Sequence, residues 1–162
     1  MSDLPTYVIE RTFNAPLPRV WQAWTDPELL ATWYGPNVDT IIHQFDLTPG
    51  GLWLNEMRKG DFSDLSRSTF VEITPQEKLV WHQCSADKDW NVIANPMMPD
   101  WPTTIATDVS FAASGNQTQV TLVWSPHNAS DQESACFSEA VKNFGGGWEA
   151  GFAIMDTLLA QD

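Results

Sequence analysis

The sequence predicts an α+β domain in which a curved antiparallel sheet of about seven strands wraps a long C-terminal helix. Three observations carry this expectation. Short β-rich segments follow one another from residue 38 to residue 124 with turn chemistry between most of them. Such strands pair antiparallel, because parallel neighbours need crossovers of about a dozen residues or more. The tail from Asp131 carries one apolar stripe at helical spacing, and a strand with two short helical segments opens the chain.

Residues 6–13 are extended by composition, rich in β-branched and aromatic side chains ahead of Pro16. Pro16 and Pro18 start a short amphipathic helix carrying Val20, Trp21 and Trp24. Thr25-Asp26-Pro27 reads as a fresh N-cap followed by proline at the first helical position, giving a second helix over 27–33 that ends before Gly35-Pro36. Strand signals then fall at 38–46, 52–58, 68–74, 78–84, 103–111 and 118–124. Pro49-Gly50-Gly51 marks a turn that needs positive φ or close approach, 60–66 reads as a loop, and Ser114-Gly115-Asn116 as a turn. Ile105, Thr107, Val109 and Phe111 alternate onto one face, as do Val120, Leu122 and Trp124.

In the tail, Phe137, Val141, Phe144, Trp148, Phe152, Met155 and Leu159 step by three or four and fall within an arc of roughly 80°. Ser130 or Asp131 can cap its start. Gly145-Gly146-Gly147 interrupts the stripe, and each glycine costs about 1 kcal/mol against alanine inside a helix. Two shorter helices joined there would explain the run, as would a close backbone approach. The stripe keeps its phase across it, which favours one helix, kinked at most, with the glycines inside rather than opening a phosphate nest. The irregular segment 87–102 is long enough to act either as a lid on the sheet or as a ligand-contacting loop.

At 162 residues the chain fits one domain over 1–162. A net charge of −13, with 8 basic against 21 acidic residues, leaves no patch for phosphates and disfavours nucleic acid and anionic membranes. Cys84 and Cys136 are too few for a disulfide framework. The start has neither a basic nor an apolar leader region, and no apolar stretch of about 18 residues exists, so a cytoplasmic location is expected.

Nine Trp and eight Phe demand either a large aromatic core or a lined pocket. No phosphate-cradling loop and no nucleophile elbow is present. His43, His82 and His127 lack the short spacings of a metal site, so neither metal nor cofactor is expected. Glu56, Arg58, Glu72 and His82 lie on strand signals, and a carboxylate buried there would have a raised pKa and could act as acid or base. Parity puts Glu72 on the face of Phe70, with Val71 and Ile73 opposite, but alternation does not decide which face is inward.

Several segments in order resemble a known family. They are Arg11-Thr12-Phe13-Asn14-Ala15-Pro16, Val20-Trp21, Thr25-Asp26-Pro27-Glu28 and Trp33-Tyr34-Gly35-Pro36. Asp46 with Pro49-Gly50-Gly51, Glu72-Ile73-Thr74-Pro75 with Lys78-Leu79-Val80, Trp101-Pro102, Trp124-Ser125-Pro126 and Gly147-Trp148 follow. Over about residues 7–160 the chain is similar to the activator of heat-shock-protein-ninety ATPase homologue family of the START/SRPBCC (Bet-v-one-like) superfamily. The resemblance implies a helix-grip fold and a cavity between sheet and long helix, which superfamily members use for hydrophobic molecules and some for cyclase or hydrolase chemistry. Relatives often carry arginine where this chain has Thr48, so no role of that arginine transfers. The extra amino-terminal domain of the eukaryotic co-chaperones has no counterpart among these residues.

The expected function is therefore binding of a small hydrophobic ligand, lined by Trp33, Trp53, Met57, Trp81, Trp101, Phe144, Trp148 and Phe152. Association with a heat-shock ATPase ranks second and cavity-based catalysis through Glu72 or His82 third, with a homodimer as a further partner state.

Overall fold

In the computed structural model, which describes residues 5–35, 38–142 and 145–160, the chain opens with β1 (Tyr7–Phe13). Its alternation buries Ile9 and Phe13 and leaves Val8 and Glu10 outward. Helix α1 (Leu17–Thr25) starts behind Pro16 and buries Val20, Ala23 and Trp24. The Asp26 carboxylate accepts the Glu28 N–H at 3.0 Å and so caps α2 (Pro27–Trp33).

The remaining strands are β2 (Asp39–Phe45), β3 (Leu52–Lys59), β4 (Phe62–Thr74), β5 (Lys78–Ala86), β6 (Val92–Ile93), β7 (Ile105–Ser114) and β8 (Gln117–Pro126). They form one antiparallel sheet in the order β1-β8-β7-β5-β4-β3-β2, with the short β6 beside the end of β5. Gly51 sits where an added Cβ would run into the Asp46 carbonyl oxygen, so the turn between β2 and β3 requires a residue without a side chain. The inward sets expected for β7 and β8 are the buried ones.

Three expectations are corrected. Residues 60–66 are not a loop. Gly60 and Asp61 alone connect β3 to β4, with Gly60 at φ +61 in the first central position, as a type II′ hairpin needs. Glu72 does not share a face with Phe70. A bulge at Val71 shifts the register of β4 against β5, so Phe70 and Ile73 pack on the core while Val71 and Glu72 are exposed. The C-terminal helix is two helices, α3 (Asp131–Val141) and α4 (Gly145–Leu159). The glycine run forms the first three residues of α4 instead of lying inside a continuous helix. The stripe nevertheless keeps its phase: Phe137, Trp148, Phe152, Met155 and Leu159 are all buried.

The core lies between the concave face of the sheet and α1, α2 and α4. Trp24 is its hub. Its ring lies 4.6 Å from that of Trp33, 5.8 Å from Phe111, 6.0 Å from Phe152 and 6.3 Å from Trp148, where the two indoles stack. Arg11 on β1 pairs with Glu149 at 3.1 Å and with Asp156, fastening α4 across the edge of the sheet. Ser130, not Asp131, caps α3 in a reciprocal capping box with Glu133. No described helix is long and apolar enough to cross a membrane.

Candidate functional site

Close packing fails at one end of the domain. A cavity of about 390 Å³ opens between the end of α2, α4, the inner face of β3, β4, β5 and β8, and the segment after β6. Trp33 and Tyr34 come from the end of α2, Met57 from β3, Met98 and Trp101 from the segment before β7, Trp124 from β8, and Trp148 with Gly151 from α4. The rings form a continuous wall: Tyr34 lies 5.8 Å from Trp148, Trp124 lies 5.7 Å from Trp148, and Trp101 lies 6.4 Å from Trp124. Trp33 gives its indole N–H to the Ala23 carbonyl at 2.8 Å, so it presents the cavity with apolar surface rather than a donor.

Polar groups gather on one side. A small annex of about 70 Å³ continues the cavity past Asp64, Ser66, Gln83, Ser85 and Asn95. The Tyr34 hydroxyl donates to the Gln83 side-chain oxygen at 3.4 Å. Burial, and then the charge of Asp64, push the Tyr34 hydroxyl pKa far up, so it stays a neutral donor. Asp64 stands at the rim with one side in solvent, and its partial loss of water raises its carboxyl pKa. Asn55, 2% exposed, lies behind Met57 on the same inner face, and neither its amide nitrogen nor its amide oxygen finds a hydrogen-bond partner among the described residues. A second hollow, about 480 Å³ between α1 and the end of α4, is lined by residues such as Pro16, Arg19 and Leu158 and has no aromatic wall.

The family model of the Activator of Hsp90 ATPase homolog 1-like protein matches residues 14–160. The chain belongs to that family. No curated protein matches it significantly. Solved structures similar to this family member include a solution structure from Arthrobacter aurescens at TM-score 0.80 and 20% identity, covering 97% of this chain and 87% of that one. A Mycobacterium smegmatis protein, Ms6760, superposes at TM-score 0.78 and 22% identity over 98% and 96% of the two chains. A Staphylococcus epidermidis protein gives 0.77 and 17% over 99% and 93%. At these identities the likeness is one of fold, and it agrees with a helix-grip arrangement.

In this member of the Activator of Hsp90 ATPase homolog 1-like family, four of the expected pocket residues border the cavity: Trp33, Met57, Trp101 and Trp148. Trp53, Trp81 and Phe152 do not; each is at most 2% exposed and fills core behind the wall. Phe144 lies outside the described residues. Tyr34, Asp64, Gln83, Asn95, Met98, Trp124 and Gly151 join the lining without having been singled out. The signal for Trp124 was present in its alternation with Val120 and Leu122. Asp64 was hidden because its segment reads as a loop.

The proposed acid and base are elsewhere. Glu72 is exposed beside the bulge. His82 alternates with the inward Trp81 and Gln83, so it occupies the outer face, its ring 4.1 Å from that of His127. Partial burial and then the neighbouring His127 lower its pKa. Glu56 and Arg58 alternate with Trp53, Asn55 and Met57 and also face out. There the Glu56 carboxylate accepts from Ser63 at 2.7 Å and Arg58 at 3.0 Å and bonds His43 at 2.8 Å. These contacts, led by Ser63, hold the Glu56 pKa down to about 2. Trp90, at φ +66, packs on His43 at 5.2 Å. The cluster ties three strands and one loop together, and no part of it reaches the cavity. Among the described residues, no group of three or more His, Cys, Asp or Glu could hold a metal.

Proposed function

We propose that this chain binds a small molecule with an apolar body in the cavity between α4 and the inner face of the sheet. The observation that carries the reading is a cavity of about 390 Å³, open at its mouth, that combines an aromatic wall with a polar annex, a combination missing from the hollow beside α1. Protein interiors ordinarily leave few voids larger than a water molecule. Binding cavities for small molecules run to roughly 300–1,000 Å³, mostly apolar with a few placed polar groups. The aromatic wall and the polar annex match that division. Glu72 and His82 do not border the volume, so the reading assigns them no catalytic role. The family's description supports a second reading, association with a heat-shock ATPase, which an ATPase assay without stimulation at saturating protein would remove. The reading takes the cytoplasm as compartment and leaves a homodimer to a sedimentation measurement.

Tryptophan fluorescence tests the first reading, since Trp33, Trp101, Trp124 and Trp148 all border the cavity. Titration with an uncharged naphthalene or alkylbenzene probe should give a saturable change. Gly151→Leu, which places a side chain into the space from α4, should abolish it while the protein still melts cooperatively. Loss of saturation in the variant supports the cavity. A wild-type signal that never saturates, or one indifferent to Gly151→Leu, ends the proposal.

A further inference from the structure

The lining is one-sided in charge. Among the described residues that border the cavity, Asp64 alone is formally charged, and none is Lys, Arg or His. The nearby basic groups are turned away. Arg58 reaches Glu56 on the outer face, and Arg67 donates to the Trp90 carbonyl at 3.2 Å. The same lining holds four indoles and one phenol: Trp33, Tyr34, Trp101, Trp124 and Trp148. Aromatic rings attract cations through the negative potential of their faces, tryptophan most strongly, and the attraction grows when the cation loses water. The annex adds the amides of Gln83 and Asn95 and the hydroxyls of Ser66 and Ser85, neutral groups that donate as well as accept. The Asn95 side-chain oxygen already accepts the Met97 and Met98 N–H groups at 2.9 and 3.1 Å, and no cationic group lines the annex among the described residues. An anionic ligand such as a fatty acid would meet the Asp64 carboxylate without a compensating positive charge.

We infer that the ligand of this cavity is an organic cation, an alkylated ammonium group on an apolar or aromatic body, seated between the indole wall and Asp64. The inference rests on the cavity reading above and adds the charge of the occupant. An apolar body accounts for the volume, and the ammonium accounts for a lone carboxylate beside so many rings. The net charge of −13 acts in the same direction by raising the local concentration of cations near the rim.

The experiment compares two probes of nearly identical shape by calorimetry and fluorescence: benzyltrimethylammonium and neopentylbenzene, its neutral carbon isostere. The cation should bind about tenfold tighter or better. Asp64→Asn, which keeps shape and removes charge at a solvent-reached rim, should weaken that preference severalfold, leaving only the part owed to the rings, while the protein still melts cooperatively. Equal or tighter binding of neopentylbenzene, or a preference for the cation that Asp64→Asn leaves undiminished, overturns the inference while leaving an apolar pocket standing. If neither probe binds, and the naphthalene probe does not bind either, this inference and the cavity reading fall together.

Discussion

Asn55 offers the sharpest test of how the inner face of the sheet is built. It lies on β3 between Trp53 and Met57, opposite Ser66 on β4 and Ile42 on β2, and is 2% exposed. Both amide atoms are without hydrogen-bond partners among the described residues. A buried polar group left unpaired costs about 1–3 kcal/mol, whereas an apolar replacement of similar shape has no such penalty. Asn55→Val exchanges the amide for a branched side chain that strands accommodate well. The neighbouring cavity gives its extra volume room, so overpacking should be small. The expected outcome is a gain of about 1–3 kcal/mol. For a chain of this size 1 kcal/mol moves the midpoint by about 2–4 °C, so the melting temperature should rise by several degrees. Urea unfolding measured alongside should show a higher midpoint with an unchanged slope. A variant that melts lower than the parent would refute the reasoning, because it would mean that the Asn55 amide is engaged and that this stretch of the inner face is not dry.

Two further outcomes follow from groups placed by the fold. Glu56 has its pKa lowered from 4.5 to about 2 in the folded state, so its contribution to stability is complete above pH 4.5 and is lost as the pH falls toward 2; Glu56→Gln should flatten that part of the urea-midpoint profile relative to the parent, while Glu133 and Asp87, also lowered, keep the remaining slope. An identical acid profile in the variant would show that the Ser63, His43 and Arg58 contacts do not hold the carboxylate. Ser130→Ala removes the acceptor for the Glu133 N–H at 3.1 Å and should lower stability by about 1 kcal/mol, read as a melting shift of about 2–4 °C; no shift would mean that α3 does not depend on its cap.

Much of the fold was legible because local chemistry and tertiary placement agree. Asp26 and Ser130 are caps both in spacing and in geometry, and the alternation of β7 and β8 gives the true inward face. The stripe on the tail spans both α3 and α4, with Phe137, Trp148, Phe152, Met155 and Leu159 all buried. What failed depends on register, which no single segment encodes. The bulge at Val71 adds one residue and reverses the side on which Glu72 falls. Phe62-Ser63-Asp64-Leu65-Ser66 is too polar to look like strand alone, yet β3 extends it across the Gly60-Asp61 turn. That extension carries Asp64 to the cavity and Ser63 to Glu56, two placements that no inspection of residues 60–66 in isolation would give. The partners of Glu56 likewise come from three strands and meet only once β2, β3 and β4 are in register.

The inner face of the sheet is divided, and the division bears on function. Toward α1 it presents Leu79, Val109, Phe111 and Leu122, all buried and packed. Toward the cavity it interleaves the rings of Trp53, Trp81 and Trp124 with Asn55, Ser66, Ser68, Gln83 and Thr107. Gln83 borders the cavity and Ser66 its annex, while Asn55, Ser68 and Thr107 lie behind the lining, as buried as the apolar set. A sheet selected for packing alone gains by replacing those groups, since each buried polar atom carries a desolvation cost that a methyl group does not. Breaks of the local rule concentrated at one end of one face are expected at functional sites. The stabilised Asn55→Val variant separates the two accounts. If the polar half serves a ligand, the variant should melt higher and bind the benzyltrimethylammonium probe more weakly. If it melts higher and binds unchanged, Asn55 lies outside the binding surface and the anchor narrows to Asp64, Gln83 and Tyr34.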